Sequence, residues 1–200
     1  IPDKFMELAE KNEVAYAFYP HTVYKKYGVS LDEIEMDEWY DKLVNDSDIR
    51  KKEINPRQML TKIAQMQQES GYPYVVYIDT ANREHTLKDV GIIKMSNLCC
   101  EIFQYQTPSE IEGYGGKNEW GQDISCNLGS LNIANVMDNK TIESTVETAI
   151  RALSFVADST DIKPVPTVSN SNSKSHSIGL GAMNLHGYLV RENILYTSDD

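Results

Sequence analysis

Apolar positions recur at helical spacing in several separate stretches of the chain. In Pro2 to Lys11, Phe5, Leu8 and Ala9 fall on one face and Pro2 suits a first helical turn, which predicts a helix. Ser30-Leu31-Asp32-Glu33 has the form of a capping box with Ser30 as N-cap. The segment after it, to about Asn45, carries Ile34, Tyr40, Leu43 and Val44 and reads as largely helical with an acidic, solvated face. Asn55-Pro56 opens the clearest helix, with Met59, Leu60, Ile63 and Met66 as one apolar stripe and Gly71 as its left-handed end. Thr141 to Asp158 repeats the pattern with Ile142, Val146, Ile150, Leu153 and Val156.

Other stretches lack that period. Tyr16 to Tyr19 reads as a short buried strand or loop, ended by Pro20-His21. Tyr74-Val75-Val76-Tyr77-Ile78 is apolar on both faces, which predicts a strand buried in a parallel sheet, with a polar exit at Asp79, Thr80 and Asn82. Ser109 to Gln122 is rich in Gly and Glu and reads as a loop or hairpin tip; Cys126 then opens an ordered run from Asn127 to Val136. Ser169 to Ser177 has the composition of a linker. Ile178 to Gly181 reads as a tight turn into a helix holding Met183 to Val190. Helices interleaved with a fully buried strand make the fold class α/β.

Composition narrows the function more than the fold. Two hundred residues at 40% apolar content suffice for one domain with a core. A net charge of −11 argues against a nucleic-acid surface and leaves room for a small anionic substrate in a local pocket. No apolar run has membrane-spanning length and no signal peptide opens the chain. Three cysteines without an extracellular framework point to a reducing compartment, the cytoplasm. The chain begins at Ile1 without a methionine and stops at Asp200 with no closing element, so an internal piece of a longer protein is expected. Arg50-Lys51-Lys52 reads as an exposed turn before a helix, weighed against a phosphate contact. Gly179-x-Gly181 lacks the third glycine of a dinucleotide site. Pro166-Thr167-Val168-Ser169 resembles a phosphate loop only superficially and is left unassigned. His21, His85 and His186 receive no chemical role.

The chemistry concentrates in Ser96-Asn97-Leu98-Cys99-Cys100-Glu101-Ile102. A carboxamide, two thiols and a carboxylate occupy consecutive positions, and Cys126 is the one further cysteine. In extended backbone, side chains alternate, so Asn97, Cys99 and Glu101 would share one face while Leu98, Cys100 and Ile102 anchor the other. A Cys-Cys pair inside a strand is also ordinary core. Zinc fits poorly, because adjacent thiols lack the usual spacer and no histidine lies near, so no metal is assigned.

Asn97-Leu98-Cys99-Cys100-Glu101 resembles the Asn-x-Cys-x-Glu signature of the ribonucleotide reductase large subunit. Four further stretches agree in order and spacing: Asp48-Ile49-Arg50-Lys51-Lys52-Glu53-Ile54-Asn55-Pro56-Arg57, Glu69-Ser70-Gly71-Tyr72-Pro73-Tyr74, Cys126-Asn127-Leu128-Gly129-Ser130-Leu131-Asn132, and Ile178-Gly179-Leu180-Gly181-Ala182-Met183-Asn184-Leu185-His186-Gly187-Tyr188-Leu189. The resemblance is greatest to the class Ib form. It implies that residues 1–200 are part of a ten-stranded α/β barrel with a central finger loop carrying the radical cysteine, the N-terminal and C-terminal parts of the catalytic barrel being missing.

The same resemblance implies the chemistry. The family reduces ribonucleotides to 2′-deoxyribonucleotides by a thiyl radical. Cys99 matches the radical cysteine, Glu101 the carboxylate that takes the 3′-hydroxyl proton, and Asn97 the amide that hydrogen-bonds substrate; Asn97, Leu98, Cys99, Cys100 and Glu101 together match the substrate-binding signature. Cys126 matches one member of the dithiol that closes to a disulfide, its partner lying upstream; Cys100 stands at the variable position and is not assigned that role. No cofactor is implied in the segment itself. The radical would come from a separate metal-tyrosyl subunit, di-manganese or di-iron, and dNTP or ATP effectors would act on the full-length protein. The implied partners are a ribonucleoside diphosphate, the small radical-generating subunit, a glutaredoxin- or thioredoxin-like reductant and a second copy of the full-length large subunit. The alternatives are a cobalamin-dependent reductase of the same fold and a non-catalytic split-gene or truncated segment. The 200 residues alone are expected to be inactive and poorly soluble.

Overall fold

The computed structural model describes residues 1–199 and divides into two units, residues 1–106 and 107–200. In the first unit, α1 (Asp3–Lys11) leads into β1 (Ala15–Phe18), α2 (Pro20–Tyr27), α3 (Met36–Asn45), β2 (Lys51–Ile54), α4 (Pro56–Ser70) and α5 (Ile78–Glu84). Strands β1 and β2 pair antiparallel with Ala15 opposite Ile54 and Phe18 opposite Lys51. Two apolar clusters make the core. Leu8, Ala15 and Tyr40 pack with Phe18, Met36 and Ile54, and Val23, Leu43 and Ile49 pack with Tyr27, Ile34 and Trp39. Leu43 and Val23 are fully enclosed, each worth about 2 kcal/mol of burial.

Basic side chains close the helix ends. Lys51 Nζ donates to the Val44 and Asp46 carbonyls at 2.5 and 2.9 Å, at the end of α3. Arg57 donates to the Ala9 and Glu10 carbonyls, at 3.0 Å each, at the end of α1. Both place a cation where orphan carbonyls and the helix dipole favour one. The Arg50-Lys51-Lys52 cluster is therefore largely strand and helix cap rather than an exposed turn.

β1 stops at Phe18, and Pro20-His21 then open α2 with Pro20 as its first helical residue. Three other expectations in this unit are corrected. Ser30-Glu33 forms half of a capping box, with the Ser30 N–H donating to Glu33 Oε2 at 3.0 Å, but the helix begins at Met36. Met59 and Met66 on α4 are exposed rather than core. Tyr74 to Tyr77 is extended without a ladder, and Ile78 begins α5. Among the described residues its inter-segment backbone bonds go to one residue, Ile1, whose nitrogen donates to the Val76 carbonyl at 2.7 Å while the Ile78 N–H donates to the Ile1 carbonyl at 3.2 Å. Without a neighbouring strand to supply further pairs, an apolar run does not become a strand.

The second unit holds β3 (Leu128–Asn132), α6 (Ile133–Asn139), α7 (Ile142–Ser159), α8 (Pro166–Ser175), β4 (Gly179–Met183) and α9 (Leu185–Glu192). Strands β3 and β4 are parallel, Leu128 opposite Gly179 and Asn132 opposite Met183. Residues 107–122 form the expected hairpin, bridged at Thr107–Gln122 and Glu110–Glu119. Gly121 is required there, because a Cβ would lie 2.1 Å from the Thr107 carbonyl oxygen. Two expectations change. Gly179 to Gly181 is strand rather than turn, and the presumed linker Ser169–Ser177 is largely α8, with Ser171 and Asn172 buried. The α7 stripe is in the expected register, but Ile142, Val146, Ile150 and Val156 are exposed.

The fold is mixed α/β, with one two-stranded sheet in each unit among the described residues. Among those residues no helix is long and apolar enough to cross a membrane, and no three His, Cys, Asp or Glu side chains gather to hold a metal ion.

Candidate active site

Residues 92–106 form a loop of the first unit that is tied at its base and again at its tip. Asn82, on α5, accepts from the Ile93 N–H at 2.7 Å and donates to the Ile93 carbonyl at 3.0 Å, which fixes the buried Ile93. The buried carboxamide of Gln106 accepts from the Lys94 and Met95 N–H groups, at 2.6 and 3.1 Å, and donates to the Met95 carbonyl at 2.9 Å. Lys94 Nζ pairs with Asp32 at 2.8 Å, and this ammonium holds the Asp32 carboxyl below its ordinary value.

The tip is a turn, not a strand. The Cys100 N–H donates to the Asn97 carbonyl at 3.1 Å, and Cys100 takes a left-handed φ of 61°. Such a φ costs a non-glycine residue about 1 kcal/mol or more and marks a held conformation. Asn97 closes the turn with its side chain. Its Oδ1 accepts from the Glu101 and Ile102 N–H groups at 3.1 Å each, which turns its Nδ2 toward Glu101 Oε1 at 2.7 Å. Ser96 Oγ adds a bond to the Ile102 carbonyl at 2.7 Å.

The alternation expected for an extended segment is therefore corrected. Asn97 and Glu101 do come together, but across a turn, because the Asn97 carboxamide captures backbone donors that a strand would have used. Leu98 does not anchor to a core; it is 88% exposed at the apex. Cys99 beside it is exposed and Cys100 is half-buried. The result is an accessible thiol on a turn that also carries a carboxylate oriented by a carboxamide, a group able to accept a proton.

Tyr74 lies within electrostatic reach of Cys99 and Cys100, and its ring centroid is 5.0 Å from that of Tyr72. The Tyr74 phenol is held above its ordinary value of 10.0, chiefly by its hydrogen bond with Tyr72. Sequence reasoning assigned neither tyrosine to the site, nor Asn82 and Gln106; nothing in hydrophobic spacing distinguishes a stapling carboxamide from any other loop amide.

Cys126 lies in the second unit, exposed, between the buried Ser125 and Asn127.

The profile of the family described as "Ribonucleotide reductase, barrel domain" matches residues 1–200. The chain belongs to the ribonucleotide reductase barrel-domain family. It is 50% identical over 200 residues to the ribonucleoside-diphosphate reductase subunit alpha of Bacillus subtilis (strain 168), matching along all of this chain and 29% of that protein. It is 40% identical over 201 residues to the subunit alpha of Mycoplasma genitalium, covering 28% of it, and 32% identical over 203 residues to that of Synechocystis, covering 25% of it. The chain thus spans under a third of the length of these reductase relatives.

Proposed function

We propose that this chain is the thiol-bearing part of the catalytic barrel of a ribonucleoside-diphosphate reductase large subunit, in a ten-stranded barrel whose finger loop is residues 92–106. The observation that carries the reading is the tip itself: an exposed Cys99 on a turn in which Asn97 Nδ2 holds Glu101 Oε1 at 2.7 Å. Asn97, Leu98, Cys99, Cys100 and Glu101 form the substrate-binding turn.

In this reading a thiyl radical at Cys99 Sγ takes the 3′-hydrogen of the ribose and becomes a thiol. Glu101 accepts the 3′-hydroxyl proton, and Asn97 donates to the substrate oxygen as charge develops there. The 2′-oxygen leaves as water. Cys126 and an upstream partner thiol supply two electrons and two protons and close to a disulfide, a balanced two-electron exchange. The Cys99 S–H then returns hydrogen to C3′, restoring the radical. The substrate class is a ribonucleoside diphosphate. The radical arrives from a separate metal-tyrosyl subunit, di-manganese or di-iron, and a glutaredoxin- or thioredoxin-like protein reduces the disulfide. Effectors of the dNTP or ATP type and a second large subunit act on the full-length protein, which works in the cytoplasm.

The test is Cys99→Ser in the full-length subunit. Nucleotide reduction is expected to vanish while substrate binding stays within about twofold, since the thiol supplies chemistry rather than affinity. Substantial multiple turnover would sink the role of Cys99.

A further inference from the structure

The Ser/Asn-rich helix α8 is built as a polar template for the segment that carries Cys126. Asn170 Nδ2 donates to the Trp120 and Gly121 carbonyls at 2.9 Å each, and the Asp123 N–H donates to the Thr167 carbonyl at 3.1 Å. Gln122 bonds Ser175. At the centre, Asn172 Oδ1 accepts from Ser125 Oγ at 2.5 Å and from Asn127 Nδ2 at 3.0 Å.

The orientation of these amides follows from one carbonyl. Asn127 Nδ2 lies 3.0 Å from the Ser177 carbonyl, which only accepts, so that atom is a donor. The Asn172 atom facing it must then be the oxygen. Among the described residues Asn172 Nδ2 is left with no hydrogen-bond partner, although the residue is only 3% exposed. Burying an amide donor unpaired is costly, about 1–3 kcal/mol, so the acceptor oxygen is what this position is built to present.

Both side chains that Asn172 grips flank the thiol. Ser125 and Asn127 are buried at 6% and 8%, Cys126 between them is exposed, and the alternation runs on into β3. Pinning the two neighbours on one face leaves the intervening side chain a single direction. A sulfur that must meet a second sulfur at covalent distance, with a restricted dihedral, gains from being held this way.

We propose that Asn172 is a positioning residue for Cys126, acting through Ser125 and Asn127 to aim the thiol for dithiol–disulfide chemistry. The inference rests on the redox reading of Cys126 above. Its test uses the full-length subunit with its radical-generating partner and dithiothreitol as reductant. Asn172→Leu removes the acceptor and is expected to lower kcat about tenfold with KM unchanged within about twofold, and Asn172→Asp, which keeps the acceptor, to restore kcat to within about threefold. In the same proteins, the iodoacetamide alkylation rate of Cys126 relative to Cys99, read on peptides by mass spectrometry, should shift at least about threefold in Asn172→Leu and return in Asn172→Asp. If Asn172→Leu does not fold, Ser125→Ala carries the test with a change of the same sign. Cys126→Ser, run alongside, separates the two ideas. Multiple turnover retained in Cys126→Ser overturns the redox role. An inactive Cys126→Ser, with kcat and alkylation ratio at wild-type values in the Asn172 and Ser125 variants, overturns the positioning role alone.

Discussion

The two exposed thiols are placed by the same kind of group, a carboxamide, but over different reaches of chain. Around Cys99 the staples are local: Asn97 bonds residues four and five positions on, and Gln106 reaches back to Lys94 and Met95. Around Cys126 the staple is remote: Asn172 and Ser177 lie 45 to 50 residues along the chain from the side chains they hold. The apolar clusters of the first unit are built from α1 to α3, β1, β2 and the segments joining them, not from the Cys99 loop. Apolar burial holds an element in place but is non-directional. A carboxamide fixes both distance and angle, which a reacting sulfur needs.

The comparison breaks most sharply at Asn97. In the full-length subunit, Asn97→Ala removes two turn-closing bonds and the donor to Glu101 together, so kcat should fall about a hundredfold or more. The ratio of Cys99 to Cys126 alkylation should change as well. A variant that kept near-normal kcat would show that the turn is held by something other than this side chain.

Gln106 gives a smaller and purely local effect. Gln106→Ala strands two N–H groups and a carbonyl, so the Lys94 and Met95 amides should exchange hydrogen about ten- to a hundredfold faster, in line with about 1–3 kcal/mol lost. Amides of β3 should be unaffected. Equal acceleration in both places would mean that the loop is not an independent opening unit.

The reach of the staples also explains what could be read in the sequence. Helix α4 was legible because its signals are adjacent in the chain: Asn55 Oδ1 accepts from the Gln58 N–H at 2.9 Å, Pro56 follows, and Gly71 ends the helix at φ 80°. The family was legible through the motif that holds Asn97, Cys99 and Glu101, and the family match agrees with that reading of the family. Its geometry was not, since alternation presumes an extended chain and Asn97 folds it into a turn. Helix α8 was invisible. It has no apolar stripe, and its polar face is satisfied by residues 120–127, which lie far off in sequence. The Tyr74–Ile78 run failed for the opposite reason: its pattern is strand-like, but among the described residues of its unit only Ile1 pairs with it.

The smallest prediction is a control away from both thiols. Asp46 sits beyond the end of α3, where Lys26 Nζ donates to it at 2.6 Å, Tyr27 Oη at 2.5 Å and the Asp48 N–H at 2.9 Å. The Lys26 ammonium first, then the Tyr27 hydroxyl and the Asp48 N–H, hold its carboxyl well below the ordinary value of 3.8. A depressed carboxyl pKa means that the folded state favours the ionised form. The stabilisation is complete above 3.8 and is lost only as pH falls below it, through the folded-state value. The protection factor of the Asp48 amide in the full-length subunit should therefore stay flat from neutrality to about pH 4 and decline below that. Asp46→Asn should start lower at neutral pH and stay flat throughout. Neither protein should differ in the reactivity of Cys99 or Cys126, because no carboxamide that holds a thiol segment depends on this ion pair. A change in either thiol would mean that the apolar part of the first unit, and not the staples alone, sets the position of the reactive sulfur.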